Sequence, residues 1–238
     1  MKKNLLFLMV DQMHGQVLDE NNSCLTPNLD KLAEKGVKFN RAHTANPVCS
    51  PARASIMTGL LPHNHGVTTV THTVDQDQSN LRTEKEHWAQ RLKEDGYNTA
   101  YYGKWHVERT NNLKEFGWNE YELQDGASTE YINANKKHKD SIDKSMPHLF
   151  IDNPPGYKNT PFYGVSNMDT EERVVGLVSQ KAKEFINKEK GDKPWACFAS
   201  VIEPHDPFIS TKKFYDMYEN IDLELPKSFN DDFNDKPN

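Results

Sequence analysis

The sequence predicts an α/β protein in three layers, with a mostly parallel central sheet covered by helices on both faces. The run Leu5–Val10 is unbroken and apolar, which is typical of a strand buried on both faces of a parallel sheet. Strand-like and helix-like segments then alternate along the chain, the order expected of an α/β domain. Polar residues follow the predicted strands, and ligands bind beyond the carboxyl ends of strands in open α/β sheets.

Local start and stop signals place the helices. Thr26 and Pro27 suit the cap and first position of a helix, which we expect to end at Gly36. The segment Pro51–Thr58 predicts a short helix that ends at Gly59.

Two later helices begin with acidic first turns. Thr83 and Glu86 have the spacing of a capping box, which predicts a helix that stops at Gly96. The longest predicted helix starts at Asp169, carries its apolar residues on one face, and runs to about Lys190.

Three further strands are predicted, at Val37–His43, Asn98–Tyr102 and Trp195–Ile202. The first alternates apolar and polar residues, and the last is strongly apolar. The segment Asn111–Met168 has little periodicity and much Asn, Lys, Pro and Gly. We therefore predict an irregular insertion there.

Composition excludes several classes of function. A chain of 238 residues allows one large domain or two small ones. Its net charge of −6 argues against a general nucleic-acid binder, which needs a basic face. Its longest apolar run is Leu5–Val10, far below the roughly 20 residues of a membrane-spanning helix. We expect neither a nucleic acid nor a membrane as a partner.

Cysteine content and the N-terminal segment bear on the compartment. Cys24, Cys49 and Cys197 are odd in number and irregular in spacing, so they predict no disulfide framework and no paired metal knuckle. Two lysines followed by Leu5–Val10 imitate a signal peptide, but the apolar run is too short and no cleavage site follows. The sequence favours a cytoplasmic location.

Asp11 and Gln12 directly follow the first predicted strand. A carboxylate and an amide oxygen are hard ligands that suit Ca²⁺ or Mg²⁺. The alternative is a turn that ends the strand.

Cys49 lies just before a predicted helix whose first turn holds Pro51 and Arg53. The helix N-terminus and the guanidinium both favour an anion there. The alternative is a buried, inert thiol.

Three motifs resemble those of the sulfatase family, in the alkaline phosphatase superfamily. The segment Pro47–Ser55 contains C-x-P-x-R, and Thr58–Pro62 continues it as T-G-L-L-P. Gly103–His106 is similar to the family's G-K-W-H, and Glu203–Phe208 is similar to its P-H-x-P-F element. The motifs stand in the family's order, and the resemblance spans Asn4 to about Phe208. It implies an alkaline phosphatase-like fold and hydrolysis of sulfate monoesters.

The resemblance also implies the cofactors and the substrate. The family's motif cysteine, here Cys49, is oxidised to Cα-formylglycine by a maturation enzyme. Asp11, Gln12 and the modified Cys49 are the implied ligands of a divalent metal, with Ca²⁺ expected and Mg²⁺ or Mn²⁺ as alternatives. The substrate would be a small-molecule or carbohydrate sulfate ester.

Four more residues receive roles from the same resemblance. Lys104 and His106 would contact the sulfate, and Arg53 would help to neutralise its charge. His205 would give a proton to the departing alcohol, while His106 would take a proton when sulfate is expelled.

Two departures from the family pattern keep alternatives open. The family usually has two acidic residues where this chain has Asp11 and Gln12, and the Asp-Gln pair also occurs in relatives that cleave phosphonate or phosphate esters. The family's later metal-binding pair and further lysine have no match after Phe208. We therefore interpret 1–238 as an N-terminal catalytic domain that stops before the closing strands and C-terminal subdomain. An inactive fragment that only binds anions is the third possibility.

Overall fold

A computed structural model describes residues 2–19, 23–82, 84–124, 128–152, 158–189, 191, 193–222, 225, 227–232, 234 and 236. Its strands are β1 (Leu5–Val10), β2 (Asn98–Gly103), β3 (Glu120–Leu123), β4 (Leu149–Ile151), β5 (Thr160–Ser166), β6 (Trp195–Val201) and β7 (Phe208–Thr211). Its α-helices are α1 (Pro27–Lys35), α2 (Cys49–Thr58), α3 (Pro62–His65), α4 (Trp88–Glu94), α5 (Thr129–Asp140), α6 (Val174–Lys188) and α7 (Lys212–Tyr215). Short 3₁₀ helices cover Gly15–Leu18, Thr71–Thr73, Leu113–Phe116, Thr170–Glu172, Asp216–Tyr218 and Lys227–Asn230.

The central sheet has four parallel strands in the order β1-β6-β2-β3. Leu5 pairs with Ala196, and Asn98 pairs with Trp195, so β1 and β2 flank β6 nearly in register. All four carboxyl ends therefore lie along one edge. This confirms the predicted α/β class with a mostly parallel sheet.

Each face of the sheet has its own apolar core. Tyr101 and Phe198 point to the face covered by α2 and α4, where Ala54, Met57 and Ala89 pack against them. The alternate residues of β2 and β6 point to the other face, which α5 and α6 cover. The buried members of this second core are Ala100, Tyr102, Tyr131, Ala134, Val174, Val178, Ala182, Phe185, Cys197 and Ala199. The period-2 alternation along β2 and β6 thus builds the predicted three layers.

The chain divides into two compact units. The first comprises 1–13 and 39–211, and it holds both sheets and both cores. The second comprises 14–38 and 212–238. Within the second unit, α1 begins at Pro27 as predicted and ends just before Gly36. The Leu25 backbone N–H donates to the Tyr218 hydroxyl at 2.8 Å.

The predicted irregular insertion Asn111–Met168 is wrong in its central part. The segment supplies β3, which pairs with β2, and α5, which covers one sheet face. It also supplies β4 and β5, which form a second sheet with β7 in the order β4-β5-β7. β3 and β4 are short strands of four and three residues, and they depend on non-local pairing that composition does not encode. Residues 125–127 and 153–157 of the segment lie outside the described residues.

Two strand predictions also differ from the structure. Val37–His43 forms no strand: Phe39 is 79% exposed, and no described strand pairs with this segment. Alternation alone cannot supply the partner that a strand needs. Leu5–Val10 is a strand, but it lies at an edge of the described sheet, and Leu8 is 65% exposed. It is therefore not buried on both faces.

Helix boundaries shift by a few residues. The predicted capping residue Thr83 lies outside the described residues, and α4 begins at Trp88, where the Gln90 side chain accepts from the His87 backbone N–H at 2.7 Å. The helix predicted from Asp169 is divided into a 3₁₀ turn and α6. Its predicted end, Lys190, also lies outside the described residues.

Among the described residues, no helix combines the length and apolar content needed to cross a membrane.

Truncating Phe198 tests the aromatic core on the α2 side. This side chain is fully buried and stacks on Tyr101 and Phe7, with ring centroids 4.9 and 4.5 Å apart. We expect Phe198→Ala to lower the free energy of unfolding by about 3–5 kcal/mol, because it leaves a cavity. Phe39→Ala, at an exposed position, should change it by less than about 0.5 kcal/mol. Urea denaturation of both variants would measure this, and equal losses would contradict the described core.

Candidate active site

Four polar side chains follow the carboxyl ends of three adjacent strands. Asp11 follows β1, Lys104 and His106 follow β2, and His205 lies on the loop after β6. Because these strands are parallel and neighbours, the sheet brings their ends together. The structure therefore places the predicted residues at one edge, as the sequence indicated.

Helix α2 adds two groups to this edge. Cys49 is its first residue, and the Cys49 Sγ lies 3.6 Å from Asp11 Oδ2 and 3.7 Å from Lys104 Nζ. Free backbone N–H groups at a helix N-terminus carry partial positive charge. Together with the Lys104 ammonium, they make the surroundings of the thiol favourable for an anion. Cys49 is partly exposed, and therefore not fully buried as the alternative interpretation expects.

The Arg53 side chain, on helix α2, connects the ends of β1, β2 and β6. Its side chain is 1% exposed, and Nη1 donates to the Lys104 carbonyl at 2.9 Å and to the Ser200 hydroxyl at 2.8 Å. Its Nη2 lies 3.5 Å from Asp11 Oδ2. Ser200 was not predicted. The signal that could have found it is a polar residue near the end of the apolar strand β6.

Asp11 lies at the centre of the charges. Its carboxylate accepts from Lys104 Nζ and faces the Arg53 guanidinium. Burial by itself raises the pKa of Asp11, but the hydrogen bond from Lys104 and the charge of Arg53 outweigh it and hold that pKa below its ordinary value. Asp11 is therefore an anion between two cations.

Gly103, the last residue of β2, allows β2 to approach β6 closely at Ser200. Its φ is +98°, and a Cβ at this position would lie 1.8 Å from the Ser200 carbonyl oxygen. The Lys104 backbone N–H donates to that same oxygen at 2.9 Å. The glycine of the G-K-W-H motif is thus required by backbone geometry.

His106 is held in an unusual environment. Its φ is +49°, and its ring stacks on His72, with centroids 4.7 Å apart and planes inclined by 14°. Burial lowers the pKa of His106 to about 4, and the charges of Lys104 and His72 act in the same direction. The imidazole is neutral at pH 7 and able to accept a proton. The sequence offered no motif at His72, because only the fold brings it to His106.

His205 completes the cluster. Its Nδ1 lies 2.8 Å from the Asp206 carbonyl oxygen and 3.1 Å from Asp206 Oδ1. One ligand atom each of Asp11, Cys49 and His205 lies within 4.8 Å of the others. His205 is thus near the predicted metal ligands, although the family resemblance implies only a role in proton transfer for it.

The donor set fits one side of a divalent-cation site. Asp11 supplies a carboxylate, while Gln12 adjoins it with an exposed side chain and a φ of +57°. Ca²⁺ takes about 6–8 oxygen ligands, so these two residues and an oxygen at position 49 would supply only part of the shell.

The chain belongs to the sulfatase family: the family's sequence model, described as Sulfatase, matches residues 3–230. The choline-sulfatase of Rhizobium meliloti strain 1021 is 30% identical over 234 residues, which cover 95% of this chain and 43% of that protein. The chain spans less than half the length of the curated relatives it matches.

Solved structures share the fold. The phosphonate monoester hydrolase SpPMH from Silicibacter pomeroyi matches with a TM-score of 0.71 and 20% identity, covering 94% of this chain and 46% of its own. BT4656, solved with its substrate D-glucosamine-2-N,6-O-disulfate, matches with a TM-score of 0.67 and 20% identity, covering 98% and 41%. Such distant likenesses establish the alkaline phosphatase-like fold.

The protonation of His106 is directly testable. We expect the His106 Cε1–H resonance to titrate at about pH 4, because burial and neighbouring cations oppose the charged ring. In the unfolded chain the His106 side chain takes up a proton near pH 6.5. The unfolded state therefore gains protons before the folded state does, and the contribution of His106 to the free energy of unfolding is lost as the pH falls from about 6.5 to about 4.

His106→Gln provides the matched control for this titration. As the pH falls from about 6.5 to about 4, the free energy of unfolding of the unmodified chain should decrease relative to that of His106→Gln. Above about pH 6.5 the difference between the two proteins should be constant. A His106 midpoint near 6.5 would contradict the described environment.

Proposed function

We propose that the chain carries part of the active site of an enzyme that hydrolyses sulfate monoesters. The observation that carries this proposal is the pair of buried cations, Lys104 and Arg53, arranged around the Cys49 Sγ and Asp11. A sulfuryl group placed at Cys49 would meet the Lys104 ammonium and the α2 N-terminus. Fixed positive charge of this kind stabilises a transition state without reorganisation.

The nucleophile is proposed to arise by conversion of Cys49 to formylglycine, which requires a maturation enzyme as a partner. The hydrated aldehyde supplies two hydroxyl groups, of which one attacks sulfur and the other allows sulfate to be expelled. The remaining steps belong to residues of this chain as it stands.

In this proposal, two imidazoles move protons in opposite directions. His205 lies near Cys49, on the partly exposed side of the cluster, and it gives a proton to the alcohol oxygen as the ester S–O bond breaks. His106 is neutral at pH 7, so it accepts the proton of the second hydroxyl group as sulfate departs. Lys104 and Arg53 hold the charge of the sulfuryl oxygens in both steps.

A divalent cation completes the proposal. Asp11, Gln12 and the oxygen at position 49 would hold it together with ligands beyond those described. These hard oxygen donors suit Ca²⁺, the expected ion, with Mg²⁺ or Mn²⁺ as alternatives. Bound there, it would act as a Lewis acid toward the ester.

A second candidate function is hydrolysis of phosphonate monoesters or phosphodiesters. Gln12, in place of a second acidic residue, favours it, and the phosphonate monoester hydrolase SpPMH shares the fold.

The state of Cys49 is the sharpest test of the proposed nucleophile. Protein from the native host should yield a tryptic peptide Ala42–Arg53 that has lost sulfur and two hydrogens and gained one oxygen. Mass spectrometry would show this, with Cys24 and Cys197 as internal controls that retain their thiols. An intact Cys49 thiol in that protein would refute the formylglycine mechanism.

Comparing esters with the same leaving group separates the two candidate functions. We expect protein from the native host to cleave p-nitrophenyl sulfate faster than p-nitrophenyl phosphate or p-nitrophenyl phenylphosphonate. Lys104→Met should lower kcat/KM for the sulfate by about 10²–10³, as is typical when one charge-stabilising group is lost. Lys93→Met, at an exposed position on α4, is the matched control and should retain the activity. Faster cleavage of the phosphonate would establish the second candidate.

A further inference from the structure

Residues 69–80 form a polar loop in the first compact unit. Its apolar residues, Val70 and Val74, are half-buried, and its other members are Thr, His, Asp, Gln, Ser and Asn. A 3₁₀ helix at Thr71–Thr73 is its regular element. A segment that buries so little apolar surface opens easily, so the conformation of the polar loop depends on its hydrogen bonds.

The Ser79 hydroxyl group closes the polar loop at its base. Its oxygen accepts from the backbone N–H groups of Thr68 and Thr69 at 3.0 and 2.9 Å, and the hydroxyl donates to the Thr69 carbonyl at 2.8 Å. The buried Thr71 backbone N–H donates to the hydroxyl of Ser50, the second residue of α2, at 3.4 Å. One end of the loop is therefore attached to the helix that begins at the candidate nucleophile.

The Arg109 guanidinium donates to five residues of the polar loop at once. Its Nε and Nη2 both donate to the Thr71 carbonyl, Nε at 3.0 Å. Its other acceptors are the carbonyls of Val74 at 3.0 Å, Asp75 at 2.7 Å and Gln76, and the Asn80 Oδ1 at 3.2 Å. A guanidinium carries five N–H donors in a rigid fork, whereas a lysine ammonium has three on a flexible stem. The side chain that orders this loop is therefore Arg109.

Arg109 belongs to the same short segment as His106, three residues further along the chain. Trp105 and Val107, on either side of His106, are 1% and 0% exposed and lie in the apolar core on the α2 side. These two buried side chains fix the backbone that carries the imidazole. Arg109 thus extends to the polar loop from a segment that the core holds in place.

The polar loop brings the His72 ring onto His106, where the two rings stack. The His106 Nδ1 is buried and has no hydrogen-bond partner among the described residues. A functional imidazole is commonly oriented by a hydrogen bond to the ring nitrogen that does not react. Since that bond is absent from the described part of the chain, contact with His72 is what constrains the plane of the His106 ring.

We propose that Arg109 is a positioning residue: by ordering the polar loop, it holds the His72 ring against His106 and so orients that imidazole. The inference rests on the proposed function, in which His106 accepts a proton as sulfate departs. A proton acceptor works only within hydrogen-bond reach of the proton it takes, and small displacements of a reacting group slow a reaction strongly. Arg109 and His72 act through His106 and need no contact with the substrate.

The stack is measurable in the chain without a substrate. Nuclear Overhauser effects should connect the ring protons of His72 and His106. Arg109→Lys keeps the positive charge but not the five-donor fork, and we expect it to abolish these effects. Arg82→Lys is the matched control, because Arg82 is exposed and donates to one loop carbonyl, that of Asn64, at 3.0 Å; the effects should persist in it. Persistence in Arg109→Lys would overturn the proposal.

Variants at His72 test whether stacking is the property that matters, and they serve if Arg109→Lys does not fold, since His72 is exposed. His72→Ala removes the ring, and His72→Phe keeps a flat one. With p-nitrophenyl sulfate and protein from the native host, His72→Ala should lower kcat about tenfold, the upper range for one ring contact. His72→Phe should retain at least about half of kcat. Equal losses in the two variants, or no loss in His72→Ala, would overturn the proposal.

The division between kcat and KM separates positioning from general damage to the structure. His106 acts in the second of two steps, and slowing only that step lowers kcat and KM by the same factor and leaves kcat/KM unchanged. We expect this pattern for both Arg109→Lys and His72→Ala. A fall in kcat/KM that matches the fall in kcat would show general damage and refute the proposal.

The two kinds of measurement also separate this inference from the proposed function. A stack that depends on Arg109, in native protein that cleaves no sulfate ester, would refute the proposed function alone. A stack that is independent of Arg109, in protein that does cleave the ester, would refute the positioning role alone.

Discussion

The buried carboxylate of Asp11 is the constraint on which the site depends. It lies between the Lys104 ammonium and the Arg53 guanidinium, and both cations are almost completely removed from water. A buried charge is tolerated only when it is paired, and removing one partner commonly costs about 3–5 kcal/mol. Strand β1, the end of β2 and helix α2 are therefore held together at the point where Cys49 emerges. The same charges that fix the architecture also make the site favourable for an anion.

Backbone geometry brings these charges together. The Lys104 N–H and the Arg53 Nη1 both bond to Ser200, one to its carbonyl and one to its hydroxyl group. This requires β2 and β6 to approach at Gly103, where a larger residue would strike the Ser200 carbonyl. Because Arg53 reaches Ser200 through a long side chain, α2 can cover a face of the sheet while Cys49, its first residue, lies at the sheet edge.

The sequence predicted those parts of the molecule that are determined locally. Strands β1 and β6 are apolar runs, and β2 follows the helix stop at Gly96. The residues after these strands carry the motifs, so three of the four strands of the described sheet and most of the site could be inferred. Strand β3 could not, because four residues gain their stability from pairing with β2. The segment Val37–His43 has the alternating pattern of a strand, but no described strand pairs with it, so the pattern alone gave a wrong prediction. The stacking of His72 on His106 depends on tertiary contacts alone, and no spacing in the sequence encodes it.

The balance of charge bears on the kind of ester in the proposed function. Asp11 is an anion, Arg53 and Lys104 are cations, and His106 is neutral at pH 7. These four side chains therefore sum to one positive charge, which matches the single negative charge of a sulfate monoester, a phosphonate monoester or a phosphodiester. A phosphate monoester carries a charge of about −1.5 to −2 at pH 7 and would leave negative charge unmatched in a buried setting. A divalent cation would reverse this preference unless further carboxylates accompanied it. Selectivity for singly charged esters therefore requires that the metal be bound with its own acidic ligands, beyond the one carboxylate that the described cluster contains.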